Sequence, residues 1–244
     1  LSEPSEIEMR PILREIRDLN QEFPVGLIAI GGVAVYMHTL RDGRERFAES
    51  THDIDFYLSK ENLGSLRDRE ELTANPKLHK QQIVRQAIEM DIYVEHQHRL
   101  AVPYEDLDRY STIIDEVRVA AKEHLLALKI DAAIDRFGST KGEKDGKDLV
   151  NLVVSLDQPR IELLRPILDE ERLDFLRTLG RGSEPFQTMS GGNSHQSSIL
   201  RKTYKDRLAR IERALAFTER SIVRPAPTVS KAIDEPKRTR VKRR

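Results

Sequence analysis

Residues 50–58 read STHDIDFYL, and no other stretch constrains the fold of this chain so tightly. Ile54, Phe56 and Leu58 alternate with Asp53, Asp55 and Tyr57, the period-two pattern of a strand with one apolar and one polar face. A carboxylate buried without a partner is costly, or it takes up a proton, so that polar face has to meet positive charge. The segment QAIEMDIYVE, residues 86–95, repeats the arrangement: Asp91 shares a face with Glu89 and Tyr93, opposite Met90, Ile92 and Val94. If the two strands are neighbours, Asp53, Asp55 and Asp91 converge on one patch.

Three carboxylates on one patch repel each other unless cations sit among them. The chain has no cysteine, which removes disulfides and thiolate metal sites and leaves oxygen and imidazole ligands. Oxygen ligands on a rigid sheet suit Mg²⁺, which takes one or two carboxylates and completes its octahedron with water and phosphate oxygens. Two such ions can stabilise both the attacking and the leaving oxygen of an in-line phosphoryl displacement. Just upstream, LIAIGGVAVYMHTL, residues 27–40, runs from a short apolar strand through Gly31 and Gly32 into a helix. Such a junction offers backbone N–H groups at the positive end of a helix dipole, with no Cβ to block a phosphate. A lone glycine pair more often reads as a tight turn. The ordered combination of glycine pair, DID strand and a further strand aspartate is far more specific.

The rest of the chain reads as an α+β protein, a small mixed sheet flanked by helices and followed by a helical C-terminal part. A helix is expected over 5–23, with Ser5 and Glu8 spaced as a capping box and Pro11 as a kink or first turn. Residues 41–50 read as a charged loop, 59–80 as a helix and a loop, 102–110 as a connection with one helical turn, and 111–120 as one or two short strands. Helices follow over 122–137, 147–156 and 161–179, with GSTKGEK as a loop after the first. The organisation expected is a core over 1–120, a helical part over 121–180 completing the site, a linker or mobile loop over 181–198, a basic helix over 199–224 and a disordered tail over 225–244.

The residues G-G, then T-H-D-I-D-F, resemble the signature of the polymerase-β-like nucleotidyltransferase superfamily. More narrowly, VPYEDL, VRVAAKEHLLALKIDAAIDR and KDGKDLVNL resemble the AbiEii/MenT-like group of bacterial toxins from toxin–antitoxin and abortive-infection systems. The resemblance covers roughly residues 25–156. It implies that Gly31 and Gly32 contact the β- and γ-phosphates of a nucleoside triphosphate. It implies that Asp53 and Asp55 bind Mg²⁺, with Asp91 as the third carboxylate. Lys129 matches the group's helix lysine, and either Asp145 or Asp148 its downstream aspartate; Asp145 is preferred, since Asp148 also reads as an ordinary first-turn residue. From the residues themselves, Thr51 reads as a phosphate contact or a turn cap, and Arg136 as a phosphate contact or an ion-pair partner of Asp135. The acceptor implied is a tRNA 3′ end, and the role that of a toxin with a cognate antitoxin.

Independently of the resemblance, Lys122, Lys129 and Arg136 fall seven apart on one helical stripe. A lysine among so many apolar neighbours either snorkels to solvent or reaches into a site. On this reading Lys129→Ala should abolish transfer without unfolding the chain.

The formal net charge is zero, yet residues 199–244 hold 15 Lys and Arg against 5 Asp and Glu. A basic arm on an acidic body suits a polyanion, so RNA contact is expected from Arg201, Lys202, Lys205, Arg207, Arg210 and Arg213. A solvated helix face is the ordinary alternative. With no signal-peptide pattern or long apolar run, a cytoplasmic protein without membrane contact is expected. Two other functions fit the residues: nucleotidyl transfer to a small molecule or protein side chain, and a non-catalytic nucleotide- or RNA-binding module. The basic arm weighs against a small acceptor, and idle acidic residues in a strand weigh against the module.

Overall fold

The computed structural model describes residues 3–23, 26–52, 54–75 and 80–222; Asp53 and the tail expected over 225–244 lie outside the described residues. The opening helix α1 (Glu3–Glu22) carries Met9, Ile12, Leu13, Ile16 and Leu19 at helical spacing, and all five are buried. It begins before Ser5, so Ser5 is not its N-cap, and Pro11 lies within it. Strand β1 (Leu27–Ile30) follows, then α2 (Gly31–Arg41), a 3₁₀ turn over Glu45–Phe47, β2 (Ile54–Leu58) and α3 (Lys60–Arg67). Next come β3 (Thr73–Asn75), β4 (Lys80–Arg85), β5 (Ile88–Val94), α4 (Tyr104–Tyr110), β6 (Thr112–Ile114) and β7 (Val117–Val119).

The seven strands form one mixed sheet in the order β3-β4-β5-β2-β1-β7-β6. At its centre β1 runs antiparallel to β2, and β2 parallel to β5. The hairpins β4–β5 and β6–β7 turn through Gln86–Ala87 and Asp115–Glu116, all four at positive φ. Two successive residues at positive φ match the right-handed twist of the strands they join. The region 59–80, expected as helix and loop, therefore also contributes β3 and the first residue of β4.

Six helices follow among the described residues: α5 (Lys122–Asp135), α6 (Thr140–Ser155), α7 (Ile161–Leu164), α8 (Glu170–Arg181), α9 (Glu184–Met189) and α10 (Ser194–Ile222). Most of the loop expected after α5 is the first turn of α6, capped by Ser139 Oγ accepting from the Gly142 N–H at 3.1 Å. The helix expected over 161–179 breaks after Leu164 near Pro166 and restarts where Asp169 Oδ1 accepts from the Arg172 N–H at 2.9 Å. The stretch 181–198, expected to be a linker, holds α9 and the start of α10. Phe186 is fully buried there, 5.5 Å from the Tyr204 ring.

In the core, α2 packs on β1, β2, α5 and α6. His38 of α2 is 3% exposed, donating from Nε2 to the Ala120 carbonyl at 2.8 Å, with Nδ1 3.0 Å from Arg41 Nη2. Burial holds its pKa down to about 4. The unfolded chain protonates this imidazole as the pH falls through about 6.5, and the folded chain does not until about 4. Stability is therefore lost across that window, by about 3 kcal/mol. In urea unfolding, His38→Gln is expected to flatten this acid slope relative to the wild type; parallel slopes would remove His38 as its source.

Candidate active site

β1 ends at Ile30, opposite Asp55 of β2, and the chain turns straight into α2 through Gly31 at φ +67°. A Cβ at Gly31 would run into Asp55 Oδ2, and one at Gly32 would lie 2.9 Å from Thr51 Oγ1. The glycine pair is thus required by a left-handed backbone and by close approach of the two side chains beneath it. Ile30, at the cap position of α2, supplies no side-chain acceptor for the helix's first N–H groups. Thr51 is buried under Gly32.

The parallel register of β2 and β5 sets Asp55 beside Asp91 and Tyr57 beside Tyr93. From the neighbouring strand, Lys80 Nζ reaches Asp91 Oδ2 at 2.9 Å and Asp55 Oδ1 at 3.6 Å, and stands 4.4 Å from the centre of the Tyr93 ring. Gln82 Nε2 donates to Asp91 Oδ1 at 2.8 Å. Burial alone would lower the Lys80 pKa, but Asp55, Tyr93 and Asp91 together carry it well above the usual lysine value. The carboxylate pair already holds one positive charge between its oxygens, and an all-oxygen pair of this kind suits a hard divalent cation. Asp53, the further ligand expected, lies outside the described residues, among which no group of three His, Asp or Glu forms a metal cluster.

Beside Asp55 opens a cleft of about 270 Å³. Gly31, Asp55 and Tyr93 line it from the sheet side, Leu128, Lys129 and Arg136 from α5 and its end, Asp145 from α6, and Arg99 from the β5–α4 connection. The predicted residues Gly31, Asp55, Lys129, Arg136 and Asp145 thus share one cleft, whereas Asp91 adjoins Asp55 without lining it. A larger cleft of about 570 Å³ lies at the other ends of α2 and α5. Its cations Arg41 and Lys122 lie against Asp42 and Arg160 against Glu123, and it contains none of the predicted catalytic residues.

Lys129 is 7% exposed and bridges two carboxylates of α6, Asp145 Oδ1 at 2.8 Å and Asp148 Oδ2 at 2.6 Å. Residues three apart on a helix share a face, so both aspartates reach it. Burial would depress the Lys129 pKa, but Asp148 and Asp145 outweigh it and hold the ammonium charged. Arg136 Nη1 lies 3.4 Å from Asp145 Oδ2. Asp145 stands at the cleft wall, and Asp148 is buried away from it.

The basic face of α10 is divided. Arg201 Nε donates to the Gly180 carbonyl at 3.1 Å, closing the end of α8, and Arg207 and Arg210 both pair with Asp157. Lys202, Lys205 and Arg213 are exposed. Lys80, Gln82 and Arg99 were not anticipated from the sequence. The run KQQIVR places three polar residues before Ile83 and Val84, so no alternation announced the strand that carries the first two.

No family model and no curated protein matches the chain. Among solved structures it is similar to an antigenic nucleotidyltransferase-like protein from Paracoccidioides brasiliensis, at 16% identity over 75% of this chain and 92% of that one, with a TM-score of 0.46. It is similar to a candidate nucleotidyltransferase from H. pylori, at 14% identity over 92% and 100%, with a TM-score of 0.47. It is also similar to the antibiotic-resistance factor ANT(2'')-Ia, at 15% identity over 85% and 96%, with a TM-score of 0.37. Likeness of this degree does not carry an activity or a substrate from one chain to another.

Proposed function

We propose that this chain is a nucleotidyltransferase that moves a nucleoside monophosphate from a nucleoside triphosphate to an acceptor hydroxyl. The observation that carries the reading is one cleft shared by Gly31, at the uncapped start of α2, and the Asp55 carboxylate, with Arg99 and Arg136 on its rim. Backbone N–H groups at a helix start, free of Cβ, receive phosphate oxygens. Lys129 holds Asp145 at the cleft wall and Arg136 adds charge for the phosphates. Asp55, with Asp91 beside it, and Asp53 would hold divalent Mg²⁺, two ions in the full arrangement. Held by these carboxylates, a metal would neutralise phosphate charge and would stabilise the attacking and leaving oxygens. The acceptor oxygen bonds to the α-phosphorus as the bond to the β-phosphate oxygen breaks; pyrophosphate leaves and the hydroxyl proton passes to water.

The acceptor we favour is the 3′ end of a tRNA, with the chain acting as a toxin opposed by an antitoxin. Support comes from the AbiEii/MenT-like motifs and from the basic C-terminal excess, of which Lys202, Lys205 and Arg213 stand exposed on α10.

Incubation with each α-labelled nucleoside triphosphate, Mg²⁺ and total RNA tests this. Label in a tRNA-sized band is the expected result, and the yield should fall steeply with salt. Label in the protein would replace the acceptor, and nucleotide binding without any transfer would leave only a binding module.

A further inference from the structure

A second cavity, of about 260 Å³, lies between the 3₁₀ turn at Glu45–Phe47 and α10. It shares no lining residue with the cleft beside Asp55. Two guanidiniums, Arg44 and Arg46, line it, standing 5.1 Å and 4.5 Å from the centre of the Phe47 ring. Unlike both clefts described above, it has no carboxylate on its wall. Arg44 Nη1 donates to the Asn151 carbonyl at 3.0 Å, but Arg44 Nη2 is buried with no hydrogen-bond partner. Ser190, 9% exposed at the turn into α10, likewise has a buried Oγ without a partner. A buried donor left unpaired is unfavourable, and two such groups among the residues lining a cavity that has two guanidiniums and no carboxylate call for an acceptor oxygen that is itself anionic. The remainder of the lining is largely apolar, and Ile199 is 53% exposed there. The volume falls just under the roughly 300–1,000 Å³ typical of drug-sized pockets, so the occupant is small.

We propose that this cavity binds a small organic oxyanion, a single phosphate or carboxylate on a flat apolar body. The Arg44 and Ser190 side chains turn to bring Nη2 and Oγ to the oxyanion oxygens, Arg46 supplies further charge, and Ile199 and Leu200 cover the body. The site is separate from the proposed nucleotide cleft and stands whether or not that cleft performs transfer.

The test is a methyl NMR titration of the full chain, labelled at Ile and Leu, with phenyl phosphate, benzoate and phenol as probes. Phenyl phosphate or benzoate should shift Ile199 and Leu200 saturably, while Ile30 and Leu128, which line the other cleft, mark binding there. The tighter of the two acids identifies the headgroup. Phenol at equal concentration should leave Ile199 and Leu200 in place. Arg46→Gln, at an exposed position, should weaken the acid by about tenfold, and Ser190→Ala by a smaller factor. Shifts confined to Ile30 and Leu128, an equal response to phenol, or undiminished affinity in Arg46→Gln would each overturn the proposal.

Discussion

Asp55→Asn is expected to cut nucleotide transfer by about 10³-fold, the scale on which removing one preorganised charge from a phosphoryl-transfer site operates. The substitution keeps the shape against Gly31, where a Cβ of any other residue would meet this side chain. It also leaves Lys80 on Asp91 at 2.9 Å, so the ammonium keeps a carboxylate partner. The fold should survive, with unfolding stability within about 1 kcal/mol of the wild type. Label incorporation and urea unfolding on the same preparation separate the two effects. Turnover near the wild-type rate would remove Asp55 from the chemistry, and the proposed transferase with it.

Lys129→Ala is expected to cost about 3–5 kcal/mol of stability, because it strands two buried carboxylates. That is a large share of the roughly 5–15 kcal/mol available to a domain. The helical stripe together with the family resemblance led to an expectation of lost transfer in an intact fold. The burial of Lys129 between Asp145 and Asp148 changes the second half of that expectation. The double variant Lys129→Ala/Asp148→Asn should regain about 1–3 kcal/mol, since it removes one uncompensated charge, and it should remain inactive. Urea midpoints for the single and double variants decide the matter. Equal stability of Lys129→Ala and wild type would mean that the three charges do not stabilise one another. Activity in the folded double variant would show that Lys129 serves only the fold.

Much of the candidate site was legible because its signals are local. Asp55 against Ile54 and Phe56, and Asp91 against Met90 and Ile92, declare a strand by alternation within five residues. Lys80 and Gln82 were not legible. Their hairpin turns on Gln86–Ala87 instead of the Asn or Gly that usually marks positive φ, so nothing nearby announced a partner strand. In the same way Gly and Ser between 180 and 198 suggested a linker, while the burial of Phe186 against Tyr204 makes part of it a packed helix. Composition reports average polarity, and a single buried ring is enough to override it.

Amino-acid order alone determined that two aspartate-bearing strands, a glycine-pair helix start and a lysine-bearing helix exist in this chain, since each depends on a period of two or 3.6 residues. Tertiary structure decided which of these groups meet. The parallel pairing of β2 with β5 put Asp55 next to Asp91, and the packing of α5 on α6 gave Lys129 two carboxylates where spacing had offered a choice of one. Strand register and helix packing are set by burial summed over the whole core, a quantity that no short window of sequence contains.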